Sequence, residues 1–213
     1  MAAGAPDSPS PGGPVLLTFG GYALEEQGLK GVSFWPRVLA RVIDFAVHYC
    51  VGFFAGTLFR IMLQIASGGH VPLRIWLKVS HTSWPLFVAA LLGASAYQVI
   101  CVRVHGSTLG KLMLSMVVVN EDGSSCGLRA AIIREIGYFP DSIFFGLIAY
   151  SAMQKSRLQQ RYGDQWADTV VCKRSDVPAE NLRGAGRFVL GLMLALMADA
   201  AFLMLGLLLQ LNS

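Results

Sequence analysis

Three long apolar segments dominate the hydrophobic pattern of this 213-residue chain. They predict membrane spans over about residues 38–66, 84–102 and 188–210. A helix needs about 20 mostly apolar residues to cross the hydrocarbon of a bilayer. The second segment contains no charged residue, and residues 42–59 of the first contain only Asp44. The pattern therefore predicts a mainly α-helical integral membrane protein.

Shorter elements are predicted between the second and third segments. Two β-branched runs, about residues 114–120 and 169–172, predict a small two-stranded sheet at the membrane surface. Residues 128–153 are amphipathic and then apolar, with Pro140 between the two parts. This stretch forms either a surface helix followed by a tilted span, or a re-entrant or interfacial helical hairpin that turns near Pro140.

The basic residues favour the hairpin. If residues 128–153 do not cross the membrane, the two strands and nearly all Lys and Arg side chains lie on one side, as the positive-inside rule prefers. The same rule predicts a cytoplasmic N-terminus. Residues 1–33 are expected to form a disordered or interfacial tail, residues 67–83 a connecting loop, and residues 175–187 a basic linker to the last span.

Composition agrees with a membrane protein and narrows its chemistry. Hydrophobic residues make up 54% of the chain and charged residues 14%, whereas soluble domains carry about a quarter charged residues. The net charge is +4, but the sequence contains no basic face with interleaved aromatic residues, so nucleic acid is not an expected partner. The four cysteines form no C-x-x-C pair, and no cysteine or histidine has metal-ligand spacing. We therefore predict no metal, no cofactor and no enzymatic activity.

Candidate chemistry lies on one face of the first segment. Arg37, Arg41, Asp44 and His48 recur at spacings of four, three and four residues, which align them along a helix. An acidic residue in a membrane segment is by default a functional-site hypothesis. Asp44 either carries a transported cation or proton, or has a structural role. In the structural role it accepts hydrogen bonds from Arg37, Arg41 or Arg103, or from the amides of residues 106–110.

A second acid, Asp199, lies near the middle of the third segment, with no complementary charge evident at its depth. One interpretation is a proton or cation site shared with Tyr97, Gln98 or His48. The other is a protonated carboxyl that hydrogen-bonds to a neighbouring helix or to a second copy of the chain. Asp44, His48 and Asp199 are thus the candidate ion-binding or proton-binding residues.

The segment from Gly106 to Lys111 has the composition of a phosphate-binding loop. Its glycines are closer than in a P-loop, and it follows a membrane helix and not a strand, so nucleotide hydrolysis is not predicted. A lipid headgroup phosphate, bound by the turn amides and Lys111, is an alternative ligand.

Four motifs follow one another along the chain: Arg37-Val-Leu-Ala-Arg-Val-Ile-Asp44, His105-Gly-Ser-Thr-Leu-Gly-Lys111, Arg134-Glu135, and Gln160-Arg-Tyr-Gly-Asp164 followed by Asp168-Thr-Val-Val171. In this order they resemble the RDD family, small multi-pass membrane proteins named for one arginine and two aspartates. The residues that match the family's motifs are Arg37, Asp44, Gly106, Thr108, Gly110, Lys111, Arg134, Arg161, Asp164 and Thr169. Ser115 and Asp168 stand where the family often has glycine.

The resemblance implies a membrane domain over residues 34–174 with a role in the transport of ions or small solutes. The alternative is a non-catalytic scaffold or assembly factor for other membrane proteins. The expected partners are the lipid bilayer and either further copies of the chain or other membrane proteins, because two or three spans are too few to enclose a pathway easily.

Overall fold

A computed structural model describes residues 30–80 and 83–212. Of the tail predicted over residues 1–33, residues 1–29 lie outside these described residues. The elements in chain order are α1 (Phe34–Ala66), α2 (Leu73–Ser80), α3 (Trp84–His105), α4 (Leu109–Met113), β1 (Met116–Asn120), α5 (Leu128–Ser142), α6 (Leu147–Lys155), α7 (Tyr162–Trp166), β2 (Thr169–Lys173) and α8 (Ala185–Asn212).

Within the described part of the chain, three helices are long and apolar enough to cross a membrane, namely α1, α3 and the helix that contains α8. The most extensive packing joins α3 to α8, whereas α1 packs mainly on α8 and α4. Small residues allow the close approach of α3 and α8: Gly191 faces Val104, and Gly206 lies against Ala89. The prediction of a mainly α-helical membrane protein is therefore confirmed.

The predicted two-stranded sheet is also confirmed. β1 and β2 pair antiparallel, with Val118 opposite Val171. The amide of Val32 donates to the Val171 carbonyl at 2.8 Å, so the residues just before α1 lie along β2. One face of the sheet packs against Ala40 of α1 and Val102 of α3, which ties the sheet to the helix ends.

Residues 128–153 form a helical hairpin, but its turn is not at Pro140. α5 continues through Pro140 to Ser142, and a 3-10 turn, Ile143–Gly146, reverses the chain. Three consecutive residues with positive φ produce the reversal, Phe144, Phe145 and Gly146. Neither α5 nor α6 is long enough to cross the bilayer.

The prediction of a connecting loop over residues 67–83 is wrong, because this segment contains helix α2. The physical reason is a short amphipathic pattern in which Ile75 packs against a cluster that contains Phe59 and Leu207. Other elements differ from the prediction only at their ends. α1 begins at Phe34 because Pro36 is tolerated in the first turn of a helix, and α8 begins within the predicted linker, at Ala185.

β1 begins at Met116 and not at Leu114, because Ser115 adopts a left-handed backbone conformation with φ of 53°. Asp168, directly before β2, has φ of 49°. These are the two positions where the RDD pattern favours glycine, the residue for which a positive φ carries no steric cost.

We expect the Ser115→Gly variant to be more stable than the wild type by roughly 1 kcal/mol, because the left-handed conformation strains a residue that has a Cβ. Thermal unfolding of the purified protein in detergent measures the effect as a higher midpoint. Ser124→Gly, in the turn after β1, is the control: Ser124 is not a positive-φ residue, and loss of the hydrogen bond that its Oγ accepts from Asn120 Nδ2 should lower the midpoint. An unchanged or lower midpoint for Ser115→Gly contradicts the prediction.

Candidate functional site

The N-terminal end of α1 meets the second half of the chain in an arginine cluster around Asp164. Arg37 Nη1 lies 2.5 Å from Asp164 Oδ2, and Arg134 Nη2 lies 3.0 Å from Asp164 Oδ1. Arg161 Nε is 3.4 Å from Asp164 Oδ1 and 3.7 Å from Asp141 Oδ2. Asp164 is completely buried. The cluster joins α1, α5 and α7, which are far apart in the sequence.

The arginines keep Asp164 ionised. Burial alone would raise the pKa of the Asp164 carboxyl, but the charges of Arg134, Arg161 and Arg37 outweigh burial and hold this pKa well below its ordinary value. Arg37 also donates from Nε to the Val32 carbonyl at 2.9 Å and from Nη2 to the Gln159 carbonyl at 2.9 Å. A buried ion pair with this many partners has a strong structural role.

Asp44 accepts four hydrogen bonds from α3 and from the turn that follows it. Its Oδ2 accepts from Thr108 Oγ1 at 2.7 Å and from Gln98 Nε2 at 2.9 Å. Its Oδ1 accepts from the Gly110 amide at 2.9 Å and from the Tyr97 hydroxyl at 3.2 Å. Asp44 therefore connects α1 to α3 and to α4.

Local sequence positions the turn that binds Asp44. Gly106 ends α3 with φ of 87°, and Thr108 is the N-cap of α4. The Gly110 amide in the first turn of α4 then points toward Asp44. A Cβ at Gly110 would collide with the Ala40 carbonyl, so only glycine permits α4 to approach α1 this closely. Of the partners predicted for Asp44, the amides of residues 106–110 supply one.

Two of the three arginines that the sequence offered as partners of Asp44 bind elsewhere in the described residues. Arg37 pairs with Asp164, and Arg41 Nη2 pairs with Glu135 Oε1 at 3.0 Å. The Arg41 guanidinium also lies 3.9 Å from the centroid of the Tyr138 ring. The sequence pattern did not predict that Glu135 would pair with Arg41. The signal for such a pair is an acidic residue directly after Arg134 on an amphipathic helix.

His48 and Asp199 meet between α1 and α8. His48 Nδ1 lies 2.7 Å from Asp199 Oδ2, so His48 is the one of the three partners considered for Asp199 that contacts it. Asp199 is completely buried, and its Oδ1 has no hydrogen-bond partner among the described residues. Gly93 of α3 leaves the space for this oxygen, since a Cβ there would collide with it. Tyr97 and Gln98, the other partners considered for Asp199, bind Asp44.

A line of polar side chains leads from Lys111 toward this pair. Lys111 Nζ donates to Gln98 Oε1 at 3.0 Å, and Gln98 donates to Asp44. Burial, opposed in part by Asp44, lowers the pKa of Lys111 to about 8, so its ammonium stays charged at pH 7. A cavity of about 10 Å³ between Asp44 and His48 is near the roughly 10–15 Å³ that one water molecule requires.

Other predicted site residues support the arginine cluster and the sheet. Thr169 Oγ1 donates to the Asp164 carbonyl at 3.3 Å and lies 3.4 Å from Arg134 Nη1. Gln160 Nε2 donates to the Thr169 carbonyl at 3.0 Å. In residues 30–80 and 83–212, no group of three or more His, Cys, Asp or Glu side chains is arranged to hold a metal ion.

The chain was compared with protein-family models, curated proteins and solved structures. A search of curated proteins and a search of solved structures each give no match. The RDD family model matches residues 32–168, which include Arg37, Asp44 and Asp164. The arginine and the two aspartates lie in contacts that hold α1 to the rest of this domain. The chain therefore belongs to the RDD family.

Proposed function

We propose that this RDD membrane protein exchanges protons or small cations across the membrane, and that His48 and Asp199 are the groups that bind them. The observation that carries the proposal is a completely buried carboxylate on one spanning helix, hydrogen-bonded at 2.7 Å to a histidine on another. Ionisable residues inside a membrane are costly and mark ion or proton pathways. The proposed activity is transport and not catalysis of a covalent reaction.

The chemistry of the pair suits a proton or a small cation. The short contact between an imidazole nitrogen and a carboxylate oxygen requires a proton between them. A cation that replaces this proton finds Asp199 Oδ1 without a partner in the described residues. Imidazole and carboxyl groups both bind and release protons, which is the chemistry that a proton-binding pair requires.

A route to the pair is supported by the polar side chains of α3 and α4. Lys111, Gln98 and Asp44 are joined by hydrogen bonds, and the water-sized cavity lies between Asp44 and His48. The charged and titratable groups nearest the route are Arg41 on α1 and Tyr97 on α3. Because three spanning helices are too few to enclose a complete pathway, we propose that the transporter is an oligomer.

We also propose that the N-terminal end of α1 faces the cytoplasm. Arg37, Arg134, Arg161 and Lys111 lie close to this end, together with the sheet. This distribution follows the positive-inside rule.

Flux through proteoliposomes tests the proposal. We expect the wild type to move protons in response to an imposed sodium or potassium gradient, read with a pH-sensitive dye. Asp199→Asn and His48→Gln should each lower the rate roughly tenfold or more, because the pair then loses its exchangeable charge. His70→Gln is the matched control, since His70 is exposed in the segment between α1 and α2.

Size-exclusion profiles of each variant establish that a lost flux is not a lost fold. Wild-type rates in both folded variants contradict the assignment of the pair.

A second candidate function, a scaffold for other membrane proteins, is favoured by Gly56 on α1, beside which the space within 4 Å is open. Absence of flux in the wild type, with recovery of another membrane protein in mild detergent, supports that alternative.

A further inference from the structure

A cavity of about 390 Å³ lies between α1 and the α5–α6 hairpin, separate from the His48–Asp199 pair. This volume falls within the roughly 300–1,000 Å³ of small-molecule sites. The cavity has one polar and one apolar wall. The polar wall consists of Arg37, Arg41, Lys111, Arg134, Asp141 and Arg161.

Two cations on the polar wall retain donor groups for a ligand. Arg37, Arg134 and Arg161 are all committed to Asp164. Arg41 pairs with Glu135 through Nη2, but its buried Nε has no partner among the described residues. Lys111 has no carboxylate within 4 Å in residues 30–80 and 83–212, and it donates to Gln98 and weakly to Thr108. An anion between Arg41 and Lys111 would satisfy both.

The polar wall also requires a donor from its ligand. Asp141 is 1% exposed, and its Oδ1 accepts no hydrogen bond from the described residues. Its Oδ2 accepts from the Gly163 amide at 3.2 Å. A buried carboxylate oxygen without a donor is costly. The ligand that fits therefore carries an anionic group for the cations and a hydroxyl group for Asp141.

The apolar wall includes Phe34, Val38, Val42, Phe45, Phe145 and Met153, of which Val42, Phe45 and Phe145 are exposed. Phe145 is fully exposed at the hairpin turn, and Ile143, Phe144 and Leu147 beside it are also exposed. An exposed apolar turn is stable when lipid chains cover it. A free inorganic anion would leave this wall without contacts, whereas an acyl chain would cover it.

We propose that the cavity between α1 and the hairpin binds an anionic glycerophospholipid, with its phosphodiester between Arg41 and Lys111. A glycerol headgroup supplies the hydroxyl for Asp141, and an acyl chain runs along Val38, Val42 and Phe45. Basic pockets between membrane helices bind anionic headgroups in this way. This site shares Arg41 and Lys111 with the start of the proposed route to the His48–Asp199 pair, but it lies in a different cavity. Lipid retention is measured without flux, so either proposal can fail while the other holds.

Native mass spectrometry of the full-length protein tests the site. The protein is stripped of lipid in detergent and titrated with phosphatidylglycerol, phosphatidylethanolamine or phosphatidylcholine. We expect a single phosphatidylglycerol to be retained at concentrations where the two zwitterionic lipids dissociate. Equal retention of all three lipids overturns the proposal.

Variants locate the binding. Lys111→Gln should weaken retention of phosphatidylglycerol roughly tenfold or more, the loss expected for one charge-assisted hydrogen bond. Lys111→Arg should restore most of it. Arg129→Gln is the matched control, because it removes the same charge from an exposed position on α5. Equal losses in Lys111→Gln and Arg129→Gln contradict a specific site.

Two further measurements separate the remaining outcomes. Val42→Trp narrows the apolar wall at an exposed position and keeps every charge, so it should also weaken retention even where Lys111→Gln fails to fold. Unchanged retention in Val42→Trp overturns the acyl-chain assignment. Inorganic phosphate in excess should not displace the lipid. Displacement by phosphate would identify a free-anion site and overturn the lipid proposal.

Discussion

Asp164→Asn is expected to remove most of the folded protein from the membrane. The substitution leaves three arginines largely shielded from water, Arg37, Arg134 and Arg161. Among the described residues, Arg161 alone then keeps a carboxylate within 4 Å, that of Asp141. Removing one partner of a buried ion pair costs about 3–5 kcal/mol, a large part of the stability of a typical domain. Size-exclusion chromatography of solubilised membranes, followed by thermal unfolding of any remaining peak, measures the loss.

Asp168→Asn is the matched control. It makes the same chemical change four residues later, at an exposed position, and should leave yield and midpoint near those of the wild type. Adding Arg134→Gln to Asp164→Asn should recover part of the yield, because it removes one of the two charges that the single substitution leaves without a carboxylate partner. A normal yield of Asp164→Asn would mean that the arginine cluster does not stabilise the fold.

The wild type should also lose this contribution in acid. The folded-state pKa of Asp164 lies below its unfolded value, which is about 3.9. The contribution is therefore fully present above about pH 4 and declines as the pH falls through the folded-state pKa. Thermal midpoints measured from pH 7 down to pH 3 should decline only below about pH 4 if this group dominates the pH dependence.

Asp44→Asn is expected to destabilise the protein by roughly 3 kcal/mol, because the amide nitrogen of asparagine would face donors where an oxygen now accepts. Asp44 accepts from Tyr97, Gln98, Thr108 and Gly110, and asparagine can accept at only one of its two terminal atoms. The measurement is the thermal midpoint and folded yield in detergent, compared with Asp122→Asn in the exposed turn after β1.

The same variant distinguishes a structural from a transport role for Asp44. A lower midpoint with a normal flux per folded molecule supports the structural role. A wild-type midpoint with altered flux would assign Asp44 to the ion pathway instead. Asp122 accepts from the Ser124 amide in a turn that asparagine also suits, so its variant should change neither quantity.

The local sequence pattern was sufficient to predict much of this architecture. Segment length and the scarcity of charge predicted the three long helices, because an apolar run of about 20 residues has few stable alternatives to a membrane helix. Two β-branched runs predicted the sheet and its two strands. The same pattern missed α2, whose eight residues acquire stability from packing against Phe59 and Leu207 and not from their own propensity.

Motif spacing also identified residues that form the polar clusters, but it did not pair them. Arg37 and Asp164 are separated by 127 residues, and His48 and Asp199 by 151. Which arginine reaches which acid depends on the rotation and depth of each helix, and these are set by packing. One turn of displacement along α1 would exchange the environments of Asp44 and His48.

The chain's pattern of apolar runs, glycines and charges thus predicted a helical membrane protein of the RDD family and several residues that lie in its polar clusters. The tertiary structure assigned Asp44 to the turn around Gly110, Arg37 to Asp164, and His48 to Asp199. The physical reason is that a buried charge must find partners across space. In a bundle of spanning helices, those partners come from elements that are distant in the sequence.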